Sequence, residues 1–258
     1  SMDVIPDRYS DFKILLSKYK LKENSIKNYL PQMNDNFIHN MSCGYNYANV
    51  LLEEFTDRVI FLVSAGPSLD RNGHLLGTIG GKGVIIAVGT ALKPLLIKGV
   101  SPDLVVVSDP TPFVTHQFTG TDYSGRCLML STAFNGVNLL LKGENYIALQ
   151  SGFEPAEQIA RKNSIELFNT GGSVATLALD FALKAKPRKI IFVGQDLAHS
   201  ENRYHASGTF HKERPRPVMD RLKITGYYGG TVSTSLSLYS FLIWIEQRIQ
   251  SENVEIIN

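Results

Sequence analysis

From residue 59 onward the chain alternates short, unbroken apolar runs with longer segments whose apolar residues recur at helical spacing. The runs are VIFLV (59–63), VIIAV (84–88), LVVV (104–107), CLML (127–130), YIAL (146–149), KIIFV (189–193) and VEII (254–257). Their β-branched, non-alternating composition predicts strands buried on both faces, as in a parallel sheet. Between them, SLDRNGHLLGTI, TALKPLLIKG, EPAEQIARKN, SVATLALDFALKA and STSLSLYSFLIWIEQRIQ predict helices. This rhythm predicts a Rossmann-like α/β fold, a doubly wound and mostly parallel sheet. Its ligand crevice is expected at the carboxyl ends of the strands, where the connectivity reverses.

Before residue 57 the rhythm is helical. DRYSDFKILLSKYK places Phe12, Leu15, Leu16 and Tyr19 on one helix face, and NYANVLLEEF is amphipathic, with Pro31 and Gly44 as punctuation. The expected organisation is an N-terminal helical extension, residues 1–56, followed by a Rossmann-like nucleotide-binding domain, residues 57–258. The leading Ser-Met reads as an expression remnant.

Composition narrows the class. The chain has 258 residues, 43% hydrophobic and 19% charged, which suits a globular protein with a sizeable core. With 26 basic and 24 acidic residues the net charge is +2, so nucleic acid is not an expected partner. The one locally basic stretch, HKERPRPVMDR, reads as an exposed loop. No run reaches the roughly 20 apolar residues of a membrane span. Cys43 and Cys127 stand far apart without metal-ligand spacing, so neither a zinc site nor a disulfide is expected and a cytoplasmic location is.

The candidate chemistry falls at strand ends. After VIFLV comes Ser64-Ala65-Gly66-Pro67-Ser68, where glycine permits close backbone approach and proline suits a first helical turn. Such a turn either simply packs tightly or presents N–H groups to an anion. Gly89-Thr90 opens the next helix, and Ser108-Asp109-Pro110 follows the third strand, its carboxylate a turn cap or a magnesium ligand. Gly171-Gly172-Ser173 precedes the apolar helix VATLALDFAL and offers a second anion site. Asp180, within that helix, is expected on its polar or packing side and is given no chemistry. Asp196 follows KIIFV, and His199, Tyr204, His205 and His211 come in the loop beyond it, where histidines act as acid or base near neutral pH or are simply solvated. Four such strand ends on one sheet edge describe a phosphate-bearing ligand, most simply a nucleotide derivative.

The ordered set GPSLD, GVSPDLVVVSDP, GGSVA and VGQDLA, followed by GGTVSTSLSLYSFLIWIEQRI, resembles the motility accessory factor (Maf) flagellin glycosyltransferases. These belong to the MptE-like family, which includes 6-hydroxymethylpterin pyrophosphokinases, and their fold is similar to that of bacterial CMP-sialic acid sialyltransferases. The resemblance covers residues ~45–257. It implies that Ser64–Ser68 and Gly89-Thr90 line the nucleotide pocket, that Gly171-Gly172-Ser173 approach phosphate or ribose, and that Asp196 holds the nucleotide or donor. Tyr204 then stands close to the donor phosphate. The departures are Ala65 and Asp109, each in place of an asparagine, and Gly230, in place of the sialyltransferase catalytic histidine. The chain also ends at VEIIN, where Maf proteins continue, which suggests an excised or naturally short domain.

The resemblance implies transfer of a nonulosonic acid (pseudaminic, legionaminic or sialic type) from a CMP-activated donor to Ser/Thr of flagellin or another surface protein. Asp109, Asp196, His205 and His211 are then the candidate catalytic residues. Two alternatives stand beside it. One is a pterin pyrophosphokinase using ATP, with Mg²⁺ on Asp109 and Asp196 at neighbouring strand ends. The other is a nucleotide-sugar-binding module without catalysis. The oligomeric state is not indicated by the sequence.

Overall fold

A computed structural model describes residues 27–199, 204–210 and 221–258. The expected helix around Phe12, Leu15, Leu16 and Tyr19, the basic stretch from residue 211, and His211 itself lie outside the described residues.

The apolar runs are the strands. They are β2 (Val59–Val63), β3 (Val84–Val88), β4 (Leu104–Val107), β5 (Arg126–Leu130), β6 (Asn145–Ala148), β7 (Lys189–Val193) and β10 (Glu255–Ile257). With a two-residue strand β1 (Asn46–Tyr47) they form one eight-stranded sheet, in the order β1-β6-β5-β4-β3-β2-β7-β10. Every pairing in it is parallel. The fold is therefore Rossmann-like. Every residue of β3 and β4 is buried, because helices cover both faces. Each fully buried Val, Ile or Leu there contributes about 1.5–3 kcal/mol.

The helices are α1 (27–42), α2 (Asn49–Leu52), α3 (Leu69–Asn72), α4 (Gly89–Ile97), α5 (Glu154–Asn163), α6 (Val174–Lys184) and α7 (Leu236–Gln250). Pro31, expected as punctuation, lies inside α1. The helix expected over 68–79 is one α-turn, α3, continued as a 3₁₀ segment, Gly73–Thr78. Residues 27–56 are joined to the sheet directly. β1 is its edge strand, and Asn36 and Asn40 of α1 are buried at the carboxyl ends of β4 and β5. Asn36 Nδ2 donates to Pro110 O at 2.9 Å, and Asn40 Nδ2 to Ala133 O at 2.9 Å and Ser131 O at 3.1 Å.

One element departs from the expected rhythm. The helix expected from Ser233 begins only at Leu236, and the residues before it form an antiparallel hairpin, β8 (Arg221–Thr225) with β9 (Thr231–Ser235). Its turn, GYYGG, carries Gly229 and Gly230 at φ +80° and +71°, a conformation that favours glycine.

Candidate functional site at the sheet's carboxyl rim

The chain proceeds from β2 outward through β3, β4, β5 and β6, then returns to place β7 on the other side of β2. The connectivity therefore reverses between β2 and β7, and the crevice of a doubly wound sheet lies at the carboxyl ends of those strands.

At that junction the two turns lock together. Gly66 N donates to Gly194 O at 2.8 Å, and Ser64 Oγ donates to Gln195 Oε1. Ser68 N, in the turn that opens α3, donates to Asp196 Oδ2 at 2.8 Å. A Cβ on Gly66 would meet that oxygen at 2.3 Å and Gly194 O at 2.5 Å, so the glycine is demanded by the loop after β7. The N–H that the sequence offers to an anion at Ser68 is thus already bound to a carboxylate of the same chain. Leu197, next to Asp196, sits at φ +49°, a strained position for a leucine costing about 1–3 kcal/mol. Its carbonyl is held by Thr234 Oγ1 at 2.7 Å, which ties the hairpin to the rim.

Two longer helices start at the same rim. α4 begins at Gly89-Thr90 with no side-chain cap, and a Cβ on Gly89 would lie 2.2 Å from Gln117 Oε1. α6 begins after Gly171-Gly172-Ser173, and Thr176 organises this turn. Its hydroxyl accepts from Gly171 N at 3.0 Å and Ser173 N at 3.2 Å, while Ser173 Oγ accepts from Thr176 N. Gly172, at φ +93°, makes the bend. Val174 and Ala175 pack against the apolar cluster that contains Val63, Ala87 and Ala91, and α6 contacts β2 and β3.

Residues 204–210 run along this edge. Ala206 N donates to Ala65 O at 2.9 Å, Ser207 binds Asp70, and Phe210 meets Phe113 edge-on at 5.2 Å. His205 is therefore carried beside the β2–α3 turn. Tyr204 lies against His199 with ring centroids 4.1 Å apart and the rings tilted by 54°.

Asp109 lies at the end of β4, where its Oδ1 accepts from Thr111 N at 2.8 Å and Thr111 Oγ1 at 2.7 Å. That is a turn-capping geometry. It does not neighbour Asp196: β3 and β2 stand between β4 and β7, which separates the strand ends by roughly 14 Å of sheet. The expectation of carboxylates on neighbouring strand ends is corrected by the strand order. Among the described residues, no three His, Cys, Asp or Glu side chains are grouped to hold a metal ion. Gly230, which the resemblance implies replaces a catalytic histidine, belongs to the hairpin turn, where Gly226 N donates to its carbonyl at 3.1 Å.

A family model described as "6-hydroxymethylpterin diphosphokinase MptE-like" matches residues 35–202. The chain belongs to the MptE-like family. The matched region begins inside α1 and ends beyond Asp196, so it contains every rim turn before the hairpin. Among solved structures, the MptE-like chain is similar to the Maf glycosyltransferase from Magnetospirillum magneticum AMB-1, with a TM-score of 0.60 at 19% identity. The match covers 79% of this chain and 33% of that protein, so this chain spans about a third of its length. No curated protein matches the sequence.

Sequence reasoning considered Asp180 without giving it a role and passed over Arg248, Thr176 and Trp244. The signal was present at Asp180, the one charge within the apolar run VATLALDFAL, since an unpaired charge is hardly ever fully buried. It is fully buried here and bound to Arg248. Among the described residues, no helix is long and apolar enough to cross a membrane.

Proposed function

We propose that this chain is a glycosyltransferase module that takes a nonulosonic acid from a CMP-activated donor and passes it to a Ser/Thr hydroxyl of an acceptor protein such as flagellin. The observation that carries this reading is the fold match to the Maf glycosyltransferase over 79% of the chain; the rim of small residues and helix starts in this chain is consistent with it. The donor's phosphate is assigned to the starts of α4 and α6, with Gly89, Thr90 and Gly172 alongside, because the start of α3 is already bound to Asp196. First-turn N–H groups and the helix dipole favour developing negative charge there, which makes CMP a better leaving group. His205, beside the β2–α3 turn, is proposed as the base that takes the acceptor's hydroxyl proton as the glycosidic bond forms. Asp196 orients the turn around the donor, and Tyr204 lies near the donor phosphate.

The test is a thermal-shift series with CMP, CDP, GDP, and ATP with Mg²⁺ and 6-hydroxymethyl-dihydropterin, followed by a transfer assay to flagellin. CMP is expected to stabilise the protein selectively, and His205→Ala to lower transfer 10²-fold or more while leaving CMP binding in place. Stabilisation by ATP, Mg²⁺ and pterin instead would favour pyrophosphoryl transfer, which the description of the matching family supports. Against that second reading, one magnesium ion held at about 2.1 Å by both Asp109 and Asp196 does not fit strand ends with two strands between them. CMP binding with no transfer to any acceptor hydroxyl would leave a non-catalytic binding module.

A further inference from the structure

The turn before α6 is fixed from behind by a helix beyond the family match. Asp180, in the middle of α6, is fully buried and spends both carboxylate oxygens. Oδ2 accepts from Asn169 N at 2.8 Å, two residues before Gly171, and Oδ1 accepts from Arg248 Nε of α7 at 2.9 Å. Arg248 is in turn paired with Glu252. Burial alone would lower the Arg248 guanidinium, but the hydrogen bonds and charges of Asp180 and Glu252 outweigh it and hold its pKa above the ordinary value.

A second contact reaches the same turn. A Cβ on Gly171 would lie 2.5 Å from Trp244 Cδ2 and 2.6 Å from its Cγ, so the indole of α7 rests directly on the Gly171 backbone. Gly172 has Phe241 as its neighbour, at 3.5 Å from the corresponding point. A part-buried charge pair and an aromatic cover, one turn apart on α7, thus meet the start and the middle of one five-residue stretch, Asn169–Ser173. The first N–H groups of α6, at Val174, Ala175 and Thr176, are partners in neither contact.

We infer that α7 is the positioning element of the Asn169–Ser173 turn, with Arg248 acting through Asp180 and Trp244 acting by direct packing on Gly171. Arg248, Asp180 and Trp244 are positioning residues and touch no ligand. Their effect is to hold the Gly171 and Asn169 backbone where the start of α6 meets an anion; only this last step rests on the donor reading above. The domain that matches the family model is then incomplete as a binding unit without residues 236–250.

Hydrogen exchange and CMP calorimetry on the full chain test this with Trp244→Ala, Arg248→Ala, Arg248→Lys and, as a control, Ile245→Ala. Ile245 is buried in the main core on the same helix, so its truncation destabilises α7 without unlocking the turn. The Asn169 and Gly171 amides are expected to exchange at least tenfold faster in Trp244→Ala and Arg248→Ala, with β3 and β4 amides unchanged. Arg248→Lys should recover part of the protection, and Ile245→Ala should not single out residues 169–173. If Arg248→Ala does not fold, Trp244→Ala and Arg248→Lys carry the same readout. CMP affinity should fall at least tenfold in the variants that loosen the turn. Unchanged Asn169 and Gly171 protection in the folded variants overturns the inference. Wild-type protein that ignores CMP overturns the donor reading alone, because the exchange result stands without a ligand.

Discussion

Helices α6 and α7 are both largely apolar, yet the fold treats them differently. Eight of the eleven residues of α6 are buried, whereas in the fifteen-residue α7 only Ile245 is. α6 crosses the middle of the sheet, over β2, β3 and β4, with α2 and α7 beside it. α7 lies against α6 and the hairpin, at the side where β7 and the short edge strand β10 are only half covered. Apolarity predicts burial only when there are layers on both sides to supply it. What α7 gains instead is leverage on one turn of the rim, through Trp244 and Arg248.

The largest effect expected from this contrast is on stability. Leu177→Ala, in a fully buried site of α6, should cost about 2–5 kcal/mol in urea unfolding. Leu238→Ala, half-buried in α7, should cost about 1 kcal/mol or less, since little cavity forms at a partly wet surface. Equal losses would mean that α7 is as deeply packed in solution as α6.

A second pair of substitutions separates packing from backbone strain at the rim. Gly66→Ala forces a methyl group into Asp196 and the Gly194 carbonyl and should cost about 1–3 kcal/mol, with weaker CMP binding because the β2–β7 junction must open. Gly230→Ala meets no atom within 4 Å and pays only for its positive φ, about 1–2 kcal/mol. If Gly66→Ala melts like wild type, the two turns are not locked together as described.

The smallest effect concerns reactivity. Burial pushes the Cys127 thiol up, well away from the thiolate that reacts, while Cys43 is exposed. A thiol reagent should label Cys43 alone in the native protein and both cysteines in denaturant. Native labelling of Cys127 would show that the sheet opens on the timescale of the reaction.

The strands were legible because a strand buried on both faces must be apolar throughout, and VIIAV and LVVV are strands over the residues that the pattern predicts. The β8–β9 hairpin was not, because TVSTS is polar, short and continuous with a helical pattern, and RLKIT, its local partner across the GYYGG turn, is too short and too polar to stand out as a strand. The two-residue β1 is too short to carry any period. At the site, the glycines marked the places of close approach but not what approaches. Gly66 accommodates a carboxylate and a carbonyl from the loop after β7, Gly89 accommodates Gln117, and Gly171 accommodates Trp244.

By itself the sequence determined a parallel α/β sheet and the turns that had to lie on one rim, because the hydrophobic period and the right-handed crossover leave little choice. It equally required small residues wherever backbone had to come close to something. The partners of those residues were settled only in three dimensions. Ser68 meets Asp196 across 128 positions of sequence and Asp180 meets Arg248 across 68, and no local propensity encodes such pairs. The order of strands also set Asp109 and Asp196 apart, since position in a sheet follows from packing and connection, not from spacing along the chain.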